Sequence, residues 1–152
     1  MRVLGVMLVA GMLSACAGQT ADPSLDADAK LFRAQRDKAC MYVLPSSGGA
    51  TVAIFMDGRK VGTLGAGDYL RMDVAPGTRL LYVMRPSPLP SFAREKKDDL
   101  TIAVEAGRCY FLRTAWKAVE GVLQEFRLYL EEMPANEAQQ AVNVRWLVPL
   151  AK

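Results

Sequence analysis

The chain has 152 residues, of which 51% are hydrophobic and 23% are charged, and this ordinary globular composition is enough for one domain. The formal net charge of +3 is too small to indicate nucleic-acid binding, and the sequence shows no basic helix or interleaved aromatic array. Histidine is absent, which excludes His-based catalytic triads and His-containing zinc sites, and we expect neither a metal nor a cofactor.

The N-terminus has the layout of a secretory signal. Arg2 supplies a positive charge, and residues 3–13 form an apolar run of eleven residues. A helix needs about 20 residues to cross a bilayer, so this run has the length of a signal-peptide core. The run ends in Leu-Ser-Ala-Cys, and polar sequence follows at once. This layout predicts a signal peptide over residues 1–15.

The residues around Cys16 resemble the lipobox of bacterial lipoproteins. The resemblance implies that Cys16 carries acyl chains, such as palmitate, and becomes the mature N-terminus. Several acyl chains would anchor the protein stably, whereas a single chain would be marginal. In Gram-negative lipoproteins an Asp after the cysteine commonly implies inner-membrane retention, and this chain has Ala17 there. We therefore expect an outer-membrane anchor in the cell envelope, facing the periplasm. An ordinary signal peptide with an incidental cysteine is the alternative.

Residues 16–38 are expected to connect the lipidated cysteine to the folded domain as a flexible tether. Residues 17–29 are small, polar and acidic, so they bury too little apolar surface to order themselves. Residues 30–38 could form a short helical turn with a solvated, charged face. The β domain itself is expected over residues 39–152.

Residues 51–85 lie at the centre of this domain, where turn signals separate strand-like runs. Asp57-Gly58 predicts a tight hairpin because Gly tolerates the positive φ that such a turn needs. Pro76-Gly77 predicts a type II turn. Between these turns, apolar and polar residues alternate over positions 70–74, which indicates one buried and one solvated face.

Eight strand-like runs at fairly even spacing predict a small antiparallel β-sandwich or a partly open barrel of about 7–8 strands. They cover residues 39–44, 52–56, 60–64, 69–74, 80–84, 100–104, 109–114 and 126–131. The run 80–84 is apolar throughout, as in a strand buried on both faces. Apolar residues at helical spacing over 138–142, after Pro134, predict a short C-terminal helix. The apolar tail over residues 144–150 is expected to dock on the domain, since its exposure would favour aggregation.

Several short motifs follow one another in the order found in a family of bacterial lipoproteins. They are YVLP at residues 42–45, DGRKVG at 57–62, Gly67 with Tyr69, DVAPG at 73–77 and GRCYFL at 107–112. Over residues 39–142 the chain resembles the domain-of-unknown-function 2846 family and, to a lesser degree, the Pro-Glu-Gly-Ala type of small surface β module. The resemblance implies a small β-sandwich on a lipid anchor, with no established activity and no catalytic residues to carry over. The Pro-rich residues 86–97 and the pair Cys40 and Cys109 depart from the family pattern.

Cys40 and Cys109 remain once Cys16 is assigned to the anchor. Each stands at the start of a predicted strand. Because two cysteines are left and the periplasm is oxidising, a disulfide between them is favoured. Two buried free thiols in separate strands are the alternative. The chain has no Cys-x-x-Cys motif, so we do not expect a redox-active site.

The candidate binding residues lie on one loop and on one segment that follows a strand. The loop places an aromatic residue beside a basic cluster, a composition common in functional loops on rigid scaffolds. Its candidates are Phe92, Arg94, Lys96 and Lys97. Trp116 is a candidate stacking residue. A solubilising loop, and packing of Trp116 in the core or at an edge, are the alternatives.

Together these features favour an interaction module. We expect a lipid-anchored periplasmic β domain that docks an envelope protein through a loop or a sheet edge. The alternative is a binding module for cell-wall glycan or a small ligand, using Trp116 and the loop of Phe92. Without histidine or a nucleophile motif, we do not expect an enzyme.

The lipid anchor can be tested with the substitution Cys16→Ala. Because the cysteine thiol is the attachment point of the acyl chains, the variant should stay unprocessed or become soluble. The measurement is partition into a detergent phase, with the unchanged chain as the reference. Equal detergent-phase fractions for the two proteins would contradict lipidation at Cys16.

Overall fold

A computed structural model describes residues 20–46, 51–85, 99–118 and 126–151. Within these ranges the chain forms two helices and nine strands. In chain order they are α1 (Pro23–Ala29), β1 (Ala39–Leu44), β2 (Val52–Met56), β3 (Arg59–Leu64), β4 (Asp68–Val74), β5 (Gly77–Met84), β6 (Leu100–Val104), β7 (Cys109–Ala118), β8 (Phe126–Glu132), α2 (Ala135–Asn143) and β9 (Trp146–Leu147).

The strands form two open sheets that face each other. The five-stranded sheet has the order β8-β7-β1-β4-β9, and the four-stranded sheet has the order β3-β2-β5-β6. Neither sheet closes into a barrel, so the predicted sandwich and its short C-terminal helix are confirmed. Most neighbouring strands are antiparallel, but β1 pairs parallel with β7, and β4 pairs parallel with β9. Parallel pairing requires a long connection, and here other strands are built from the intervening chain.

β1 is the central strand, and all six of its residues are buried. One of its faces contributes to the core between the sheets, and the other lies under the helices. The sequence placed such two-sided burial on residues 80–84. That prediction is wrong for the run as a whole, because Leu80 is 38% exposed and Met84 is half-buried. An apolar run in the sequence does not show whether a strand is buried on both faces along its whole length or only in part.

The main core lies between the two sheets. β4 shows the alternation that the sequence predicts, since Leu70, Met72 and Val74 are buried in this core while Arg71 and Asp73 are half-buried on the other face. β6 and β8 contribute to the same core at alternate positions. Period-two patterning therefore identifies the buried faces of these edge strands correctly.

A second apolar cluster covers the outer face of the five-stranded sheet. Its aromatic rings stack across neighbouring strands, with the Tyr42 centroid 6.3 Å from that of Tyr69 and 5.2 Å from that of Phe111. α1 covers this face through Ala29 and α2 covers it through Ala138, and both alanines are buried. The domain thus has three layers, with the helices outside the five-stranded sheet.

Residues 20–38 belong to the folded domain, so the predicted flexible tether is wrong over this range. The Asp22 carboxylate caps α1 by accepting the Ser24 backbone N–H at 2.8 Å, and Pro23 fits the first turn of the helix. Beyond the helix, the Phe32 ring lies 5.4 Å from that of Tyr42. The domain boundary at residue 39 is wrong for the same reason. Residues 16–19 and the predicted signal peptide lie outside the described ranges.

The backbone of the C-terminal tail docks on both sheets as predicted, but its apolar surface is only partly covered, since Val144, Trp146 and Leu150 are exposed. The two residues of β9 pair with β4, and the Val148 backbone N–H donates to the Tyr69 carbonyl at 3.0 Å. Farther along, the Ala151 backbone N–H donates to the Val61 carbonyl of β3 at 2.9 Å. The tail therefore closes one side of the sandwich.

The Asp57-Gly58 hairpin forms where the sequence predicts it. Both residues have positive φ, 49° for Asp57 and 81° for Gly58, as a tight two-residue turn requires. The Asp57 carboxylate also accepts the Leu80 backbone N–H at 3.0 Å. This acidic side chain therefore takes part in a turn, as the sequence indicates.

A disulfide joins Cys40 of β1 to Cys109 of β7, the pairing that the sequence favours over free thiols. The two residues face each other in the parallel register, with Cα atoms 4.4 Å apart. Their sequence separation is 69 residues. Closing a loop of that length stabilises the fold by roughly 4 kcal/mol in the chain-entropy account.

Candidate functional site

Three connections leave the same end of the sandwich, which we call the loop end. β1 and β7 run parallel, so the connections that follow them begin at the same end. The connection after β1 leads into β2, and Ala53 near the start of β2 lies opposite Met84 at the end of β5. The connection after β5 therefore begins at the loop end as well. It carries the loop candidates Phe92, Arg94, Lys96 and Lys97, which lie outside the described residues.

Trp116 lies at the loop end, within β7 and not after it. The strand continues four residues past its predicted end, to Ala118. The indole is half-buried and packs against the core between the sheets. The guanidinium carbon of Arg85 lies 4.8 Å from the indole centroid, which is within cation–π range. Arg85 directly precedes the Pro-rich residues 86–97, so the fold brings Trp116 to the base of that loop.

This geometry favours the packing role of Trp116 over a stacking role. Arg85 lies over the indole, and core side chains pack against the same ring. A planar ligand would have to displace Arg85 to stack on the covered face. Trp116 and Arg85 instead fix the point from which the candidate loop leaves β5.

A buried carboxylate cluster lies under α1, and sequence reasoning did not find it. Asp26 is only 7% exposed. Its Oδ1 accepts the Tyr69 hydroxyl at 2.9 Å and the Leu147 backbone N–H at 2.9 Å. Its Oδ2 accepts the Lys30 ammonium at 2.7 Å. The carboxylate thus has donors from three parts of the chain, as a buried charge requires.

The protonation states of this cluster follow from its contacts. Burial alone would raise the pKa of Asp26, but hydrogen bonds from Lys30, the Leu147 backbone and Tyr69 outweigh it and hold that pKa below its ordinary value. Burial and the adjacent Asp26 carboxylate raise the pKa of Tyr69 far above its ordinary value. Asp26 is therefore ionised at neutral pH and Tyr69 remains a hydroxyl donor. An ionised Asp26 and a protonated Tyr69 form a stable hydrogen bond, as expected of a structural contact.

The cluster joins α1, β4 and β9 at one edge of the sheet. Next to it, the Ala21 backbone N–H donates to the Leu147 carbonyl at 2.9 Å. In the sequence, Asp26 and Lys30 have the spacing of an ordinary surface pair on a helix. Their long-range partner Tyr69 gives no local signal, which explains why the cluster was missed.

An open groove of about 1020 Å³ runs along β3 beside the C-terminal segment. Its charged lining residues are Lys60 and Asp68, and Thr20 and Leu150 also line it. Asp68 accepts the Gly65 backbone N–H at 2.7 Å, so its carboxylate takes part in the turn before β4. The groove lining offers mainly backbone, hydroxyl and aliphatic groups, and this set indicates no particular reaction.

No protein-family model matches the chain, and no curated protein matches it significantly. The resemblance to the domain-of-unknown-function 2846 family therefore stays a prediction from short motifs. Within the described ranges, acidic and cysteine side chains form no group of three that could hold a metal ion. Neither helix in the described part of the chain is long and apolar enough to cross a membrane.

The substitution Asp26→Asn tests the cluster. It removes the charge that pairs with Lys30, and hydrogen bonds to a charged group contribute about 1.5–3 kcal/mol each, so we expect a loss of that order in the free energy of unfolding at pH 7. Because the folded-state pKa of Asp26 is lowered, its stabilisation is present above the unfolded-state pKa near 4 and is lost as pH falls through the lower folded-state value. Urea unfolding of both proteins from pH 7 to pH 2 should show the difference shrinking below about pH 4.

Asp28→Asn is the matched control, since Asp28 lies on the same helix but is exposed. It should change the free energy of unfolding by no more than a few tenths of a kcal/mol. Equal losses for the two variants would show that the buried contacts of Asp26 do not stabilise the domain.

Proposed function

We propose that the chain is a lipid-anchored periplasmic β domain that serves as a non-catalytic interaction module of the bacterial cell envelope. The lipobox-like sequence that ends in Cys16 supports the anchor. The disulfide and the three layers supply a rigid scaffold for the connections at one end. The observation that carries the interaction role is the loop end, where three connections leave together beside Trp116 and Arg85.

The composition of the candidate loop favours a protein partner. Arg94, Lys96 and Lys97 would complement an acidic surface, which steers association and selects partners. Phe92 and the prolines of the same loop provide apolar contact area. The base of the loop is held by the contact between Arg85 and Trp116, so the ordering cost on binding is lower than for a free segment.

Binding of cell-wall glycan or a small ligand is the second candidate. It would rely on a free aromatic face, and Arg85 lies over the indole of Trp116. The two candidate functions predict different neighbours of the loop end in cells, a protein in the first case and a glycan in the second.

Crosslinking in intact cells tests the module. A photoreactive residue at Lys117, exposed beside Trp116, should yield one dominant protein adduct, which mass spectrometry would identify. The same residue at Arg59, exposed beside the hairpin at the opposite end, should yield none above background. Because both sites are exposed strand positions, a difference between them reports the position of the partner.

Two outcomes would contradict the proposal. Equal adducts from the two positions would mean that no partner selects the loop end. Adducts with glycan alone would favour the second candidate, and Trp116→Ala would then be expected to lower glycan binding.

A further inference from the structure

We propose that an exposed apolar patch around Trp146 rests on the lipid headgroups of the membrane that holds the anchor. This inference depends on the lipid anchor of the proposed function and adds an orientation to it. We call the surface the exit patch, because the chain toward Cys16 leaves the domain beside it. Its members are Leu25, Val144, Trp146 and Leu150.

Large exposed apolar side chains are concentrated at this place. The structure describes six of them, and the four members of the exit patch lie on α1 and on the C-terminal segment that packs beside it, with Trp146 61% exposed and Val144 79% exposed. The others are Leu31, which follows α1, and Leu80, which lies beside the Asp57 turn on the other sheet. Single exposed apolar residues need no explanation, but a cluster marks an interaction surface.

Contacts between α1 and the C-terminal segment bring the members of the patch toward one edge of the sheet. The Leu147 N–H donates to the Asp26 carboxylate at 2.9 Å, so the backbones of Leu25 and Trp146, each one residue away, lie near each other. The Lys30 ammonium lies 5.5 Å from the indole centroid. Leu150 lines the same groove as Thr20, the first described residue of the chain.

The length of the remaining link limits the distance to the membrane. Ala21 is held by its hydrogen bond to the Leu147 carbonyl, one residue from Trp146. Cys16 lies four residues before Thr20, and four extended residues span at most about 14 Å. The polar region of one leaflet is about 5–8 Å thick. An acylated Cys16 therefore keeps the exit patch within reach of the headgroups.

The chemistry of the patch fits an interface between water and lipid. Tryptophan favours the headgroup level because its apolar rings and its N–H need different surroundings. The neighbouring Lys30 ammonium is paired with Asp26, and its remaining N–H groups suit lipid phosphate. Leucine and valine side chains add apolar area around them. The patch thus has the composition expected for a shallow contact, with the acyl chains of Cys16 providing the attachment.

The test uses the lipidated full chain in phosphatidylcholine vesicles that contain a photoreactive lipid with its diazirine near the headgroup. Mass spectrometry should find labels on peptides that include Leu25 and Trp146, and none on the peptide that includes Leu80. The double variant Leu25→Ser with Trp146→Ser should lose most of this labelling. The matched control Leu80→Ser, which also removes an exposed leucine, should retain it.

A second measurement needs only one substitution. Trp116→Phe leaves Trp146 as the single tryptophan, and its emission should shift to shorter wavelength in vesicles and be quenched by brominated lipid. The inference would be overturned if the Trp146 emission in vesicles stayed at the wavelength measured without vesicles and was not quenched by brominated lipid. Burial of Trp146 only in native membranes, and not in pure lipid, would also overturn it by indicating a protein partner on the patch.

These outcomes are distinct from failure of the anchor. If mass spectrometry finds no acyl chains on Cys16, or the chain does not enter vesicles, the proposed function fails first. If the acylated chain enters vesicles and the exit patch is unlabelled, only the orientation is wrong.

Discussion

The buried carboxylate of Asp26 is the contact on which the arrangement of this domain depends. Removing a carboxylate from water is costly, and the cost is offset only if the charge is paired and its oxygens are hydrogen-bonded. Lys30, Tyr69 and the Leu147 backbone meet that requirement, with distances of 2.7, 2.9 and 2.9 Å. Since these donors come from separate parts of the chain, the charge is satisfied only when α1, β4 and β9 are all in place. The contact therefore specifies where both ends of the described chain lie.

This contact bears on the lipid anchor that we propose. Under that proposal, a free tether over residues 17–38 would let the domain move away from the membrane, whereas α1 fixes the chain from Ala21 onward. Asp68, which pairs with Trp146, lies toward the loop end of β4, because β4 runs antiparallel to β1. The chain thus enters the domain near the loop end. Under the proposed lipid anchor, a partner bound there would lie at or in the membrane.

The strands could be predicted because their signals are local. The alternation over residues 70–74 and the Asp57-Gly58 turn are both patterns of neighbouring residues. The structure has the predicted strand at the first and the predicted turn at the second. α1 could not be predicted from composition, because an acidic, polar segment was assumed to be solvated while Asp26 is in fact buried by distant partners. The signal that was available is Asp22 followed by Pro23, a helix start. For the candidate site, Trp116 could be named from the sequence, but its binding role stays a prediction. Its contact with Arg85, the residue after β5, is long-range and has no local pattern in the sequence.

Hydrogen–deuterium exchange, measured at the amides of Lys30 and Leu147, tests the role of Asp26 most directly. If this carboxylate fixes α1 to β9, both amides should exchange slowly at pH 7, and Asp26→Asn should accelerate both to a similar extent. Exchange of the Lys30 amide at the rate of an unstructured peptide, with Leu147 still protected, would contradict that role. Residues 20–38 would then be a free tether, and the proposed orientation at a membrane would lose its basis.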